Sequence, residues 1–205
     1  VSFAAKSGTF AGVQIPWREA RINMDKSGDT ALVIYLHGGS ARGSDNVKQI
    51  QVEEVGVIAS YLVRRGIKAI FIVPQCPSAY SWGGRMGKVL AGLIDSYGCA
   101  ELYGFGGSMG GSGLASLISS YPEKFTAAMP VAWNPRMAKA ESMAKVPFRT
   151  VVGTNDNIID ADKVKEFVSE VKALGGNVIY EFINGWGHGQ ICTMSYTDER
   201  LDWVF

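Results

Sequence analysis

The sequence predicts an α/β protein in which a mostly parallel sheet carries helices on both faces. Three observations predict it: short continuous apolar runs, amphipathic helical segments between them, and the regular alternation of the two along the chain. At 205 residues the chain suffices for one substantial core and is short for two. Residues 1–205 are therefore read as one domain, without internal repeat, low-complexity segment or linker.

From Val13 to Met24, Arg18, Glu19 and Arg21 alternate loosely with Val13, Ile15, Trp17 and Ile22, as in an exposed edge or a hairpin. Ser27-Gly28-Asp29 makes a turn. Ala31 to Leu36 and Ala69 to Val73 are unbroken apolar runs, the signature of strands buried on both faces. Between them, Val52, Val55, Ile58, Ala59 and Leu62 mark the inner face of a helix. A second helix is expected from Arg85 to Tyr97, then a strand within Ala100 to Phe105. The helix after it carries Leu114, Leu117, Ile118 and Tyr121 at helical spacing and stops at Pro122. Thr126 to Ala132 and Phe148 to Val152 read as strands. Val164, Phe167, Val168, Val171 and Leu174 form an amphipathic helix ended by Gly175-Gly176. Val178 to Ile183 reads as the last strand and Tyr196 to Phe205 as a closing helix.

Composition excludes several classes. Charged residues make up 19% and hydrophobic residues 47%, the balance of a packed globular chain. A net charge of +1 with no basic cluster gives no footprint for nucleic acid. No apolar stretch approaches the roughly 20 residues that span a bilayer. Three cysteines, Cys76, Cys99 and Cys192, lack zinc-site spacing, and both one disulfide and three free thiols stay open. The chain starts at Val1, which fits a removed signal peptide, a tag remnant or a trimmed chain, so export and a cytoplasmic home both stay open. Oligomeric state is equally unread.

Between the expected strand at Ala100 to Phe105 and the next helix lies Gly106-Gly107-Ser108-Met109-Gly110, a G-x-S-x-G pattern. Alone the pattern is common in a glycine-rich chain; its strand-turn-helix setting makes it a nucleophile elbow. Gly106 and Gly110 stand where a sharp turn leaves no room for side chains. A serine hydroxyl needs a general base, and the chain holds two histidines. His188, in Gly185-Trp186-Gly187-His188-Gly189 after the last strand, is the expected base. His37 leads into Gly38-Gly39 after the first buried strand, where backbone N–H groups can face a developing oxyanion; a structural role is expected for its ring. The orienting acid is expected between Ser108 and His188 in chain order. Asp156 lies just past the strand Phe148 to Val152 and is preferred. Asp160 and Asp162 precede a helix, where capping and the helix dipole explain them.

With those residues in order, the chain resembles the α/β-hydrolase superfamily over nearly its whole length. More narrowly, Tyr35-Leu36-His37-Gly38 with Arg42-Gly43-Ser44-Asp45-Asn46, Tyr121-Pro122-Glu123-Lys124-Phe125 and Leu201-Asp202-Trp203 resembles the small carboxylesterase and predicted-peptidase group, which is related to phospholipase/carboxylesterases and feruloyl esterases. The resemblance implies a single-domain hydrolase without a large lid. It makes Ser108 the nucleophile, His188 the base and Asp156 its acid, with Gly39 and Met109 as oxyanion donors and no metal or organic cofactor. It implies a serine hydrolase acting on small or medium carboxylic esters, acyl or feruloyl, through an acyl-enzyme. A peptidase or amidase with the same triad, acyl transfer to an acceptor other than water, and a non-catalytic binding protein on this scaffold are the alternatives. Ala132-Trp133-Asn134-Pro135 departs from the group, where small residues often follow the strand, and is expected to reshape the substrate pocket. Trp82, Trp133 and Trp186 fall in loops near the site and are expected to line an aromatic groove, while Arg42 and Asp45 are expected to pin their loop.

Overall fold

The computed structural model describes residues 1–205. Its eight strands are β1 (Ala4–Phe10), β2 (Val13–Ile22), β3 (Ala31–Leu36), β4 (Ala69–Pro74), β5 (Leu102–Gly107), β6 (Ala127–Val131), β7 (Phe148–Gly153) and β8 (Val178–Ile183). They form one sheet in the order β1-β2-β4-β3-β5-β6-β7-β8. From β4 through β8 all neighbours are parallel, while β2 runs antiparallel to both β1 and β4. The parallel majority follows from the apolar runs, since only strands covered on both faces can be apolar at every position. Every residue of β3, β4, β5, β6 and β7 is buried.

The two-residue period of a strand divides each run between two cores. Leu32, Ile34 and Leu36 face the layer made by α2 (Arg85–Asp95), α3 (Met109–Ser120), α4 (Ala140–Met143) and α5 (Ala161–Ala173). Ala31, Val33 and Tyr35 face the layer of α1 (Glu53–Arg64), α6 (His188–Met194) and α7 (Asp198–Val204). No inserted cap is present: between β6 and β7 the chain holds only a 3₁₀ turn at Pro135–Met137 and the short α4. No helix is long and apolar enough to cross a membrane. The three cysteines are free thiols.

Three local expectations change. Of the two readings of Val13 to Met24 the hairpin holds and the edge does not: the edge is β1, which the exposed sequence Ala4–Phe10 conceals. Ala11 and Gly12 make the turn, both at positive φ, 48° and 76°. The stretch around His188 is helix α6 instead of a free loop, and the closing helix begins at Asp198 instead of Tyr196. Thr197 caps it, its Oγ1 accepting from the Arg200 N–H, and Asp198 and Glu199 occupy the first turn where acids favour the dipole.

Candidate active site

Ser108 stands between β5 and α3 with φ 56° and ψ −124°, a conformation that non-glycine residues rarely adopt and that costs on the order of 1–3 kcal/mol. The surroundings impose it. The Ser108 N–H donates to the Val131 carbonyl at 3.1 Å, and the Ser108 carbonyl accepts from the Ser112 N–H at 3.0 Å. The sheet register pairs Leu36 with Gly106, so the end of β3 abuts the turn. A Cβ on Gly106 would stand 2.6 Å from the Gly110 carbonyl oxygen, and one on Gly110 would collide with the Leu36 carbonyl. Both glycines are thus required by closeness of backbone to backbone.

The turn aims the Ser108 hydroxyl at His188. Oγ lies 2.7 Å from His188 Nε2, and His188 Nδ1 lies 2.8 Å from Asp156 Oδ2. Because an ionised carboxylate only accepts, Nδ1 carries the proton and Nε2 is left to accept from the serine. The Asp156 side chain is 1% exposed and that of His188 18%, so the acid is dry and the base reachable. Asp156 Oδ1 accepts from the N–H groups of Ile158 and Ile159, each at 2.9 Å, which fixes the carboxylate's orientation.

Two loops at the carboxyl ends of β7 and β8 bring acid and base together. Asn155 N–H donates to the Trp186 carbonyl at 3.0 Å, and Gly185 N–H to Thr154 Oγ1 at 2.8 Å. Gly153 has no room for a side chain, since the Trp186 carbonyl occupies that space. Asp160 lies outside this arrangement: its Oδ1 accepts from the N–H groups of Asp162 and Lys163 as the N-cap of α5. Asp162 sits in the first turn of the same helix.

His37 is wholly buried and does not reach the serine in any hydrogen bond. Its Nδ1 donates to the Gly38 carbonyl at 2.6 Å and its Nε2 accepts from the Cys76 N–H at 2.9 Å, which ties the ends of β3 and β4 together. Burial lowers its pKa to about 4, with the Arg42 charge acting in the same direction. Gly39 opens a 3₁₀ turn and Met109 opens α3, so neither N–H has a partner within its own helix. The two come close: a Cβ on Gly39 would lie 4.0 Å from Met109 Sδ. Arg42 holds this loop, donating from Nε to the Gly39 carbonyl at 3.1 Å and from a terminal nitrogen to the Tyr80 carbonyl at 3.3 Å. Asp45 caps the following turn through Val47 and Lys48.

The expected groove of three tryptophans is not formed, although Trp82 lends an edge to the groove beside Met109. Trp82 is 1% exposed, donates from Nε1 to the His37 carbonyl and stands edge-on to the His37 ring. Trp133 is 0% exposed and donates to Thr150 Oγ1 at 2.7 Å. Both indoles serve the core because each finds a buried acceptor there; only Trp186 is half-buried. What borders the elbow instead is a groove of about 340 Å³ between the loop Ser81–Gly83 and the turn Asn134–Met137, with Met109 and Ser112 on its floor. Sequence reasoning singled out Asn134 only as part of a departure from a pattern and passed over Ser112, Arg136 and Met137. The helical spacing of Ser112, four residues past Ser108, was the available signal.

Cys192 also escaped notice as a neighbour of the site. Its Sγ packs where Gly107 lacks a side chain, 3.2 Å from the position a Cβ would take. Burial pushes its thiol up to about 12, helped by the charges of Glu54 and Asp156, so it packs as an uncharged group. No cluster of three or more His, Cys, Asp or Glu side chains is arranged to hold a metal ion.

No family model matches the sequence, and no curated protein matches it. Solved structures do. A thermostable esterase superposes with a TM-score of 0.77 at 25% identity, over 98% of this chain and 62% of its own. This chain thus spans less than two thirds of that esterase. An esterase of Pyrococcus furiosus gives 0.73 at 14% identity, over 99% of this chain and 93% of its own. A candidate α/β hydrolase of Agrobacterium tumefaciens gives 0.71 at 14%, over 97% and 91%. These likenesses span almost the whole of this chain, and with its eight-stranded, mostly parallel sheet covered by helices on both faces the chain has the α/β-hydrolase fold.

Proposed function

We propose that the protein is a serine hydrolase that cleaves carboxylic esters through an acyl-enzyme. The observation that carries this reading is the unbroken relay Ser108 Oγ, His188 Nε2, His188 Nδ1, Asp156 Oδ2, with links of 2.7 and 2.8 Å. Similarity to structures named as esterases supports the ester class.

In this reading Ser108 Oγ attacks the ester carbonyl carbon while its proton passes to His188 Nε2. Asp156 holds the ring in the tautomer that can accept and stabilises the imidazolium that forms. The negative charge arriving on the carbonyl oxygen is met by the N–H groups of Gly39 and Met109, free at the starts of their helical turns. Collapse of the tetrahedral species expels the alcohol, which takes the proton from His188. Water then enters by the same route, deprotonated by His188, and the acid leaves with Ser108 restored. Small and medium esters suit the uncapped site and a groove of about 340 Å³.

A fluorophosphonate probe tests the nucleophile: wild type should label and Ser108→Ala should not. Equal labelling of the two removes the assignment. Matched p-nitrophenyl esters and p-nitroanilides test the bond, and hydrolysis of the anilides without the esters would convert the reading to an amidase.

A further inference from the structure

The groove beside Met109 has nine lining residues, and Arg136 is the sole ionisable one among them. The other walls are Ser81, Gly83, Ser112, Asn134 and Met137, with Trp82 and Gly113 below. Its cation is unused: the Arg136 guanidinium makes no hydrogen bond, and no carboxylate lies within ion-pair distance, although Lys163, Glu166 and Glu170 share a second cleft on its far side. Arg42, on the other flank of the elbow, is by contrast committed to the Gly39 and Tyr80 carbonyls.

The backbone beneath Arg136 is held in place from several directions. Pro135 begins its 3₁₀ turn, and Asn134 Oδ1 caps that turn by accepting from the Arg136 N–H at 2.9 Å. The turn is fastened to α3 at both ends, because the Asn134 N–H donates to Ser112 Oγ at 2.9 Å and the Lys139 N–H to Ser119 Oγ at 2.8 Å. Met137 closes the opposite side by resting on Gly83, where a side chain would strike its methyl group. A free guanidinium on a fixed turn, at the rim of a groove that reaches the residue after Ser108, is a preformed anion contact.

Resting on the esterase reading, we infer that this groove selects esters carrying an anionic substituent, such as a carboxylate, on one side of the scissile bond, and that Arg136 is the residue that selects them. The test compares matched esters of equal length. On the acyl side these are p-nitrophenyl glutarate and p-nitrophenyl valerate; on the alcohol side, 4-butyryloxybenzoate and phenyl butyrate.

For at least one pair, Arg136→Gln should lower the anionic-to-neutral ratio of kcat/KM about fivefold, mainly through KM, as expected for one exposed ion pair. Arg136→Lys should keep the ratio within about twofold, and added salt should erode it in wild type but not in Arg136→Gln. The pair that responds identifies the side of the ester that the groove holds. If both ratios are unmoved in Arg136→Gln, the inference is wrong while neutral-ester hydrolysis still upholds the serine esterase. If no ester is turned over by wild type, the esterase reading fails and takes this inference with it.

Discussion

Asp156 and His188 are joined at 2.8 Å through Oδ2, while the other carboxylate oxygen of Asp156 accepts from two backbone N–H groups, two and three residues further along the same loop. The carboxylate therefore cannot turn away from the ring without abandoning both backbone donors. Asp156→Asn keeps the shape but presents an amide that can donate to Nδ1 and so favour the wrong tautomer. Ester turnover should fall by about 10³- to 10⁴-fold. Asp160→Asn should retain most activity, because asparagine caps a helix about as well as aspartate. Steady-state kinetics on the two variants check this, and the reverse ranking would move the acid to Asp160.

Gly110→Ala should fail for a backbone reason. The new methyl group meets the Leu36 carbonyl, and neither β3 nor α3 can withdraw without opening buried pairing. A loss of about 3 kcal/mol or more is expected in urea unfolding, together with loss of fluorophosphonate labelling. Normal stability with normal labelling would show that the turn can relax.

His37 makes folding sensitive to acid. Its folded pKa, about 4, lies below the ordinary value of 6.5, so between those values the unfolded chain binds the extra proton and the native state does not. Stability is complete above about pH 6.5 and is lost as the pH falls toward 4, by on the order of 3 kcal/mol from this residue. The drop in unfolding free energy from pH 7 to pH 4.5 should be smaller in His37→Gln than in wild type. An equal acid loss in both proteins would refute the assignment.

Trp133→Phe separates core from groove. It removes the donor to Thr150 Oγ1, a fully buried hydroxyl, and should cost about 1–3 kcal/mol of stability. Because the indole faces no open surface, kcat/KM on short esters should change less than about twofold. A large change in KM with unchanged stability would return Trp133 to the substrate groove.

The centre of the sheet was legible because burial on both faces writes itself as unbroken apolar sequence, as in Ala31–Leu36, read with its exact ends; edge strand Val178–Ile183 was read as well, from its aromatic and β-branched residues between Gly176 and Gly185. Edge strand β1 was not, since a strand exposed to water needs no apolar pattern and exists here through its pairing with β2. That Ser108, Asp156 and His188 meet in space was readable because the proposed chemistry needs those residue types at strand ends in that order. Burial of Trp82 and Trp133 was not, because a loop tryptophan becomes core only when another segment supplies its acceptor, here the His37 carbonyl and Thr150. Arg136 left no trace in sequence, being one arginine among several until the fold set it beside α3.

The turn at residue 108 is fixed by the hydrogen bond its own backbone N–H donates, by the one its carbonyl accepts and by two neighbouring glycines, none of which involves the side chain. The atoms that aim the side chain are thus separate from the hydroxyl that is aimed. Whatever small group replaces the hydroxyl will be carried on the same vector toward His188, so residue 108 works as a socket: the frame would present a thiol, a methyl or a hydrogen as faithfully as it presents an alcohol.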